Sequence, residues 1–287
     1  MLECVPNISE GRDPAVLERL GVACGQSLLD VHSDVDHHRS VFTLAGPGPR
    51  DAEGAVRQLG RAVASELTMQ DHVGVHPRLG ALEVVPFIAL GPTHAEQQRA
   101  VDAAHSFARW WSTAHHVPCF IYGDADPAGR SLPEIRRRAF RLAEPDYGPN
   151  EPHPTLGATA VSARKPLIAV NCVLLTRDVQ PAYRIARAMR ESDGGMPGVR
   201  ALGFALEAID RSQVSMNLFD LDTTGIEAAV LHVRDLAQSE RTEVASVEVV
   251  GLIPGAELNR CSEEFLRWAK IDSDQSIEAR IQARRIE

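Results

Sequence analysis

The sequence predicts an α/β (α+β) protein built from two subdomains that share one plan. Apolar runs of strand length alternate with stretches of helical periodicity, and the order strand, helix, strand, strand, helix, strand occurs twice. The 287 residues are enough for two domains of about 100–150 residues each. This order of elements is the ferredoxin-like βαββαβ arrangement. We therefore expect two ferredoxin-like subdomains that meet across a cleft.

Local signals place the elements of the first subdomain. Asp13 followed by Pro14 is typical of a helix start, because proline is tolerated at the first helical position. A polar turn separates two strands, and an amphipathic helix precedes a largely apolar strand. The predicted elements are strand 2–8, helix 14–25, strands 28–32 and 39–44, helix 51–67 and strand 82–90.

The second subdomain repeats the plan after a connecting region. That region is predicted to contain helix 94–114, strand 117–122 and short helix 132–138. The repeat consists of strand 166–174, helix 179–191, strands 199–208 and 213–221, helix 225–239 and strand 243–252. The tail, 257–286, has helical spacing. We assign 1–174 to the N-terminal subdomain and 175–287 to the C-terminal one.

Composition excludes several classes of protein. The net charge of −9 argues against nucleic acid as a partner, because binding phosphate backbones requires a basic surface. No apolar run approaches the roughly 20 residues that span a bilayer, and the N-terminus lacks the pattern of a signal peptide, so we expect a cytoplasmic protein and no membrane partner. The five cysteines are scattered without a CxxC pair, which predicts small buried residues and neither disulfides nor a thiolate zinc site.

One compact basic cluster, Arg136 to Arg138, stands out against the acidic background. A local basic pocket can bind an acidic substrate even on an acidic protein. For at least two of these three arginines, a solvated helix face is the simpler interpretation.

The stretch from Asp71 to Phe87 is the strongest candidate for a site. His72 and His76 lie four residues apart, but Gly74 between them and Pro77 after them disfavour a helix, so a loop is predicted. The loop leads into a core strand, which is a common way to hold a catalytic side chain on a rigid support.

A second candidate lies in the proline- and glycine-rich segment 144–166. Small residues from Gly157 onwards are followed by Arg164 and Lys165, so backbone amides could approach a ligand while a cation meets its carboxylates. A small-residue crossover between subdomains is an equally good interpretation.

These motifs together resemble the formiminotransferase domain of glutamate formimidoyltransferase. The matching blocks run from the N-terminus to about Gly255: 3–11, 39–43, 76–87, 157–159 with 163–165, and 213–218. No cyclodeaminase domain follows, so the resemblance is to the free-standing form.

The resemblance implies transfer of a formimino group from N-formimino-L-glutamate to tetrahydrofolate as co-substrate, in a folate-binding cleft of a homodimer, without a metal. The implied co-substrate is tetrahydrofolate or one of its polyglutamates. His76 is the implied catalytic residue. The implied folate segment comprises Gly157, Ala158, Thr159, Ala160, Val161, Ser162, Ala163, Arg164 and Lys165. We add Arg78, Asn7 and Arg39 to the expected substrate-binding residues. For Arg78, a structural role that holds the loop in place is slightly favoured over contact with a substrate carboxylate.

The chain departs from the family pattern at His32, His38 and Ser162. These departures leave open a related formimino or formyl transferase with a different donor, and a folate-binding protein without turnover. A metal hydrolase that uses His72 and His76 with His37, His38 or an aspartate is a further alternative, since zinc and manganese bind imidazole and carboxylate ligands.

Overall fold

A computed structural model describes residues 1–46, 48, 50–75 and 78–284 of the chain. The chain divides into two compact units, Met1–Arg164 and Lys165–Glu287. Within the described residues, no helix is long and apolar enough to cross a membrane.

The first unit consists of one mixed sheet with helices on both faces. Its strands are β1 (Leu2–Cys4), β2 (Asn7–Ile8), β3 (Leu28–Asp34), β4 (Arg39–Ala45), β5 (Leu82–Ala89), β6 (Cys119–Gly123) and β7 (Thr159–Ala163). Its helices are α1 (Pro14–Cys24), α2 (Asp51–Glu66), α3 (His94–His115) and α4 (Leu132–Arg138).

Strand pairing confirms the βαββαβ plan of this unit. The first strand is interrupted and consists of β1 and β2, which both lie between β4 and β5. Strand β3 pairs with β4, and all of these pairings are antiparallel. The sheet then continues beyond the predicted motif, because β7 pairs in parallel with both β5 and β6. The predicted strand 2–8 is therefore two short strands, and the segment 157–165 supplies a central strand of the sheet.

Helix starts in this unit follow the local chemistry of the sequence. The Asp13 side chain accepts hydrogen bonds from the amides of Ala15 and Val16, and Pro14 occupies the first turn as predicted. Thr93 and Glu96 form a capping box at the start of α3. That helix ends at His115, and the next residue, His116, caps it in the left-handed conformation.

The two faces of the first sheet differ sharply in character. Helices α1, α2 and α3 bury one face in an apolar core that includes Phe42, Phe87 and Trp111. Trp111 also donates from Nε1 to Thr159 Oγ1 at 2.9 Å. The opposite face, here called the polar face, carries the side chains of Glu3, Asn7, Arg39, Thr43, Glu83 and Ser162. Helix α4 packs on this polar side.

The second unit repeats the same plan. Its strands are β8 (Ile168–Leu174), β9 (Val199–Leu206), β10 (Arg211–Leu218) and β11 (Val244–Val250). Its helices are α5 (Val179–Met189), α6 (Ile226–Ser239), α7 (Gly255–Leu258), α8 (Glu263–Ala269) and α9 (Ile277–Arg284). The antiparallel order β11-β8-β10-β9 confirms a second ferredoxin-like sheet.

The boundary between the units lies earlier than the predicted break after 174. Strand β8 pairs with β10 and β11, so it is the first strand of the second unit and cannot belong to the first. The repeated order of elements already makes strand 166–174 the first strand of the second subdomain, and the pairing of β8 agrees with that order and not with a break after 174.

The cysteines lie where their apolar character predicts. Cys4, Cys24, Cys119 and Cys172 are buried and Cys261 is partly buried, and all five are free thiols.

Candidate functional site

The loop before β5 packs against the turn between β3 and β4. The Val75 amide donates to the Asp36 carbonyl at 3.2 Å, and a Cβ on Gly74 would lie only 2.5 Å from the His37 carbonyl oxygen. Glycine is therefore required for the two backbone segments to approach this closely. The segment has no helix from Asp71 to Val75, as predicted. His76 and Pro77, which include the predicted catalytic histidine, lie outside the described residues.

Two histidines stack where these segments meet. The rings of His38 and His72 lie 4.2 Å apart and nearly parallel, and His72 Nε2 lies 3.1 Å from the His38 carbonyl oxygen. His38 Nδ1 contacts the Val73 carbonyl at 3.1 Å. His38 adopts φ +48°, a left-handed conformation in which histidine, asparagine and aspartate are over-represented. The backbone at this position therefore suits a histidine.

Glu10 links this histidine pair to the start of α1. Its Oε1 accepts from the amides of Gly11, Arg12 and Asp13 at 2.6–3.0 Å and lies 3.2 Å from His38 Nε2. Partial burial acts to raise the pKa of Glu10, but the amide hydrogen bonds and His38 outweigh it and lower this pKa. Glu10 is thus held as a carboxylate beside an imidazole.

His37 lies on the inner side of the same turn. Its amide donates to Asp34 Oδ1 at 2.7 Å, and its Nδ1 lies 3.4 Å from Asp34 Oδ2. Burial lowers the pKa of His37 despite the opposing effect of the Asp34 carboxylate. The neutral imidazole is therefore the favoured form in the folded protein.

A buried carboxylate, that of Glu83, forms ion pairs with two arginines on the polar face. Its Oε1 accepts from Arg136 Nε and Nη2 at 3.0 and 2.8 Å, and its Oε2 lies 3.4 Å from Arg78 Nη1. The Glu83 side chain is 1% exposed and that of Arg78 is 7% exposed. Arg78 Nη2 also donates to the His37 and His38 carbonyls at 2.6 and 3.2 Å. Arg78 therefore fixes the β3–β4 turn to the sheet.

Arg39 lies beside this cluster at the start of β4. Burial lowers its pKa to about 10, with the Glu83 carboxylate acting in the opposite direction. Burial likewise lowers the pKa of Arg78. Two of the predicted substrate-binding arginines are thus brought together around one carboxylate.

The predicted folate segment forms a strand and its approach. Thr159 to Ala163 make up β7, and their amides are shared between β5 and β6. The idea that amides of this stretch approach a ligand is therefore wrong for these five residues, because the ladder uses them. Gly157 has φ +70°, and a Cβ there would lie 2.5 Å from the Leu79 carbonyl oxygen, so glycine serves close backbone packing at this point.

Side chains of this segment alternate between the two faces of the sheet. Thr159, Val161 and Ala163 belong to the helix-covered face. Ala158 and Ala160 lie on the other side in a small cluster with Phe120, and Ser162 follows them and is fully buried.

Arg164 and Lys165 end the segment. Burial lowers the pKa of Arg164, and the neighbouring Tyr122 and Glu3 oppose that shift. Lys165 is exposed and begins the second unit. The two cations thus occupy different environments.

Asn7 is buried in β2, where its Nδ2 donates to the Val5 carbonyl at 2.9 Å. Its side chain shares the polar face with Glu83 and Arg39.

The second sheet also presents polar groups on the face away from its helices. Ser215 Oγ donates to Asn171 Oδ1 at 2.7 Å, and Asn171 Nδ2 donates to Glu248 Oε2 at 3.0 Å. Gln213 lies on the same face and is 1% exposed. The block 213–218 was noted from the sequence, but only strand pairing brings its residues into one row with Asn171 and Glu248.

Two further residues of the first site, Glu83 and Arg136, were not among the predicted site residues. Glu83 sits inside an apolar strand, and a charge in such a run is a recognisable signal of a buried ion pair. Arg136 was part of a noted basic cluster, but its partner lies 53 positions away. Glu10 follows a strand end and was expected near the site for that reason, but its contact with His38 could not be predicted from the sequence.

Among the described residues, no group of three or more histidine, cysteine, aspartate or glutamate side chains is arranged to hold a metal ion. The histidines of the metal-hydrolase alternative that are described, His37, His38 and His72, are engaged with Asp34, Glu10 and backbone carbonyls.

Comparison with known proteins accounts for both units. Residues 1–164 match the family model "Formiminotransferase domain, N-terminal subdomain", and 169–284 match "Formiminotransferase domain". The chain is 34% identical to a glutamate formimidoyltransferase of Streptococcus pyogenes serotype M1, covering 96% of this chain and 97% of that protein.

Two further relatives differ in how much of their own length this chain spans. A glutamate formimidoyltransferase of Thermoplasma acidophilum is 31% identical, over 98% of this chain and 97% of that protein. The mouse formimidoyltransferase-cyclodeaminase is 36% identical over 88% of this chain, which spans only 50% of that protein. On these matches, the chain belongs to the formiminotransferase family.

Proposed function

We propose that this chain is a glutamate formimidoyltransferase, which transfers the formimino group of N-formimino-L-glutamate to tetrahydrofolate and yields L-glutamate and 5-formiminotetrahydrofolate. The observation that carries the proposal is the match of both units, over nearly full length, to relatives with this name. Tetrahydrofolate, with or without a polyglutamate tail, acts as a second substrate.

The charged groups of the first unit suit such substrates. The polar face carries the guanidinium groups of Arg39 and Arg78, with Arg136 beside them, and both substrates carry carboxylates. Together with Asn7 and the Ser162 and Arg164 side chains, these groups form our proposed substrate-binding set, whereas the ladder amides of the predicted folate segment are excluded from it.

His76 is the proposed general acid and base. Attack of a secondary ring nitrogen on the amidine carbon forms a C–N bond and a tetrahedral intermediate. The attacking nitrogen loses a proton, the glutamate nitrogen gains one, and the bond from carbon to that nitrogen breaks. One imidazole can perform both transfers near neutral pH, because its ordinary pKa is about 6.5.

The neighbours of His76 in the chain are firmly held. The Val75 amide donates a hydrogen bond to the Asp36 carbonyl. The Arg78 guanidinium donates hydrogen bonds to two carbonyls of the same turn and to Glu83. A catalytic loop needs such fixed ends for its side chain to be positioned reproducibly.

The test is single-turnover formation of 5-formiminotetrahydrofolate from the two substrates, with a chelator present. We expect the product to form with the wild-type chain and to fall by about 10²–10⁴-fold in His76→Ala. His94→Ala, an exposed position in α3, is the control and should retain full activity. Wild-type turnover in His76→Ala would refute the role of His76, and absence of product from the wild-type chain would refute the proposed reaction.

We also propose a homodimer located in the cytoplasm. Sedimentation equilibrium of the purified chain would test the first statement, and a monomer at micromolar concentration would contradict it.

A further inference from the structure

We propose that Arg136 binds a carboxylate of the amino-acid substrate through the outer end of its guanidinium, while Glu83 and Arg78 hold that guanidinium in position. This inference rests on the proposed function for the identity of the substrate. It assigns a binding role to one arginine of the basic cluster in α4.

The contacts of Arg136 leave one end of its guanidinium available. Nε and Nη2 both donate to the same oxygen of Glu83, at 3.0 and 2.8 Å. Nη1 has no hydrogen-bond partner among the described residues. The Arg136 side chain is 20% exposed, so a solute can reach this end. The Nη1 and Nη2 edge of a guanidinium is the geometry that binds a carboxylate with two parallel hydrogen bonds.

Positive charge gathers around Glu83. The guanidinium groups of Arg136 and Arg78 contact its single carboxylate, and Arg39 lies near enough to be influenced by the same three groups. Asp34 is a second carboxylate that acts on Arg39 and Arg78. Guanidinium groups held this close together, and partly out of water, favour an anion at the exposed end of Arg136. A substrate carboxylate would supply that charge.

The helix that carries Arg136 orients it towards the sheet. Ile135 is fully buried and packs with Phe120 and Tyr122 on the polar side of the sheet. The two following arginines point elsewhere: Arg137 is exposed, and Arg138 pairs with Glu134 on the same helix at 2.7 Å. Of three adjacent arginines, only Arg136 therefore reaches the polar face.

These neighbours provide matched controls. The experiment compares Arg136→Gln, Arg136→Lys and Arg137→Gln in the full chain. It measures KM for N-formimino-L-glutamate, KM for tetrahydrofolate, and the Kd for L-glutamate by titration calorimetry.

We expect Arg136→Gln to raise the donor KM and the L-glutamate Kd by about 10- to 100-fold, which is the usual range for losing a charge-assisted hydrogen-bonded pair. The KM for tetrahydrofolate should change by less than about twofold. Arg136→Lys should recover only part of the loss, because an ammonium cannot form the paired contact. Arg137→Gln should match the wild type.

A structural role for Arg136 predicts a different result. It would affect the two substrates equally, and the double variant Glu83→Gln with Arg136→Gln, which removes both charges, would restore L-glutamate binding. The inference is overturned by either of these results, or by wild-type L-glutamate affinity in Arg136→Gln. If the single variant does not fold, the double variant supplies the binding measurement, and weakened L-glutamate binding there supports the inference.

The proposed function can fail separately. L-glutamate binding that depends on Arg136, in a protein that forms no transfer product, would refute the reaction and support this site.

Discussion

Removing the Glu83 carboxylate should destabilise the first unit severely. In Glu83→Ala the guanidinium groups of Arg78 and Arg136 lose their shared partner, while the half-buried Arg39 remains nearby. Breaking a buried ion pair by deleting one member costs about 3–5 kcal/mol, because the remaining charge is left uncompensated. Since Glu83 is 1% exposed, solvent screening offers little relief.

Urea unfolding followed by tryptophan fluorescence would measure this cost. Trp110 and Trp111 belong to the first unit, whereas Trp268 belongs to the second, so quenching or replacing Trp268 isolates the transition of interest. With an m-value of about 2 kcal/mol per molar urea, a loss of 3–5 kcal/mol lowers the midpoint by about 1.5–2.5 M.

The control is Glu134→Ala, which removes an exposed ion pair with Arg138 in α4. We expect it to cost less than about 1 kcal/mol, as surface pairs do. If Glu83→Ala also lowered the free energy of unfolding by less than about 1 kcal/mol, the view of Glu83 as the carboxylate that stabilises this cluster would be refuted.

Three further predictions concern the same fold. Trp111→Phe should lower the free energy of unfolding by about 1–3 kcal/mol, because it leaves the buried Thr159 hydroxyl without its donor; an unchanged urea midpoint would contradict this. The free energy of unfolding should fall as the pH drops below about 6.5, because the unfolded chain then protonates His37 while burial keeps its folded pKa lower. In His37→Asn that decline between pH 6.5 and 5 should be shallower, and an identical pH profile by urea titration would argue against it. Burial raises the pKa of Cys24 and of Cys172 to about 12, so these thiols should react with Ellman's reagent at pH 8 only after unfolding. Rapid reaction in the native protein would show that they are accessible.

Most secondary structure was predictable because local chemistry specifies it. The helix that follows Asp13 and Pro14 begins where the capping residues indicate, and the apolar strands of the second unit pair in the expected order. The first strand was only partly predicted, since its interruption between β1 and β2 depends on how both neighbours pair with it.

The segment from Gly157 to Lys165 illustrates the limit of such reasoning. Its small residues fit a ligand-binding loop, a crossover or a strand equally well when composition is the only guide. The segment forms a strand because β5 and β6 lie on either side of it and supply hydrogen-bond partners for its backbone. These partners are distant in sequence, so the composition of the segment alone does not indicate them.

The sequence by itself determined the repeated βαββαβ plan, the capped helices, the loop character of 71–75 and the family, because these depend on periodicity and on residues close together in the chain. Only the tertiary structure decided which charges meet. Glu83 and Arg136 are 53 positions apart, and Glu10 and His38 are 28 apart. Such contacts depend on strand pairing and on how α4 and the β3–β4 turn pack against the sheet, and no local pattern encodes them.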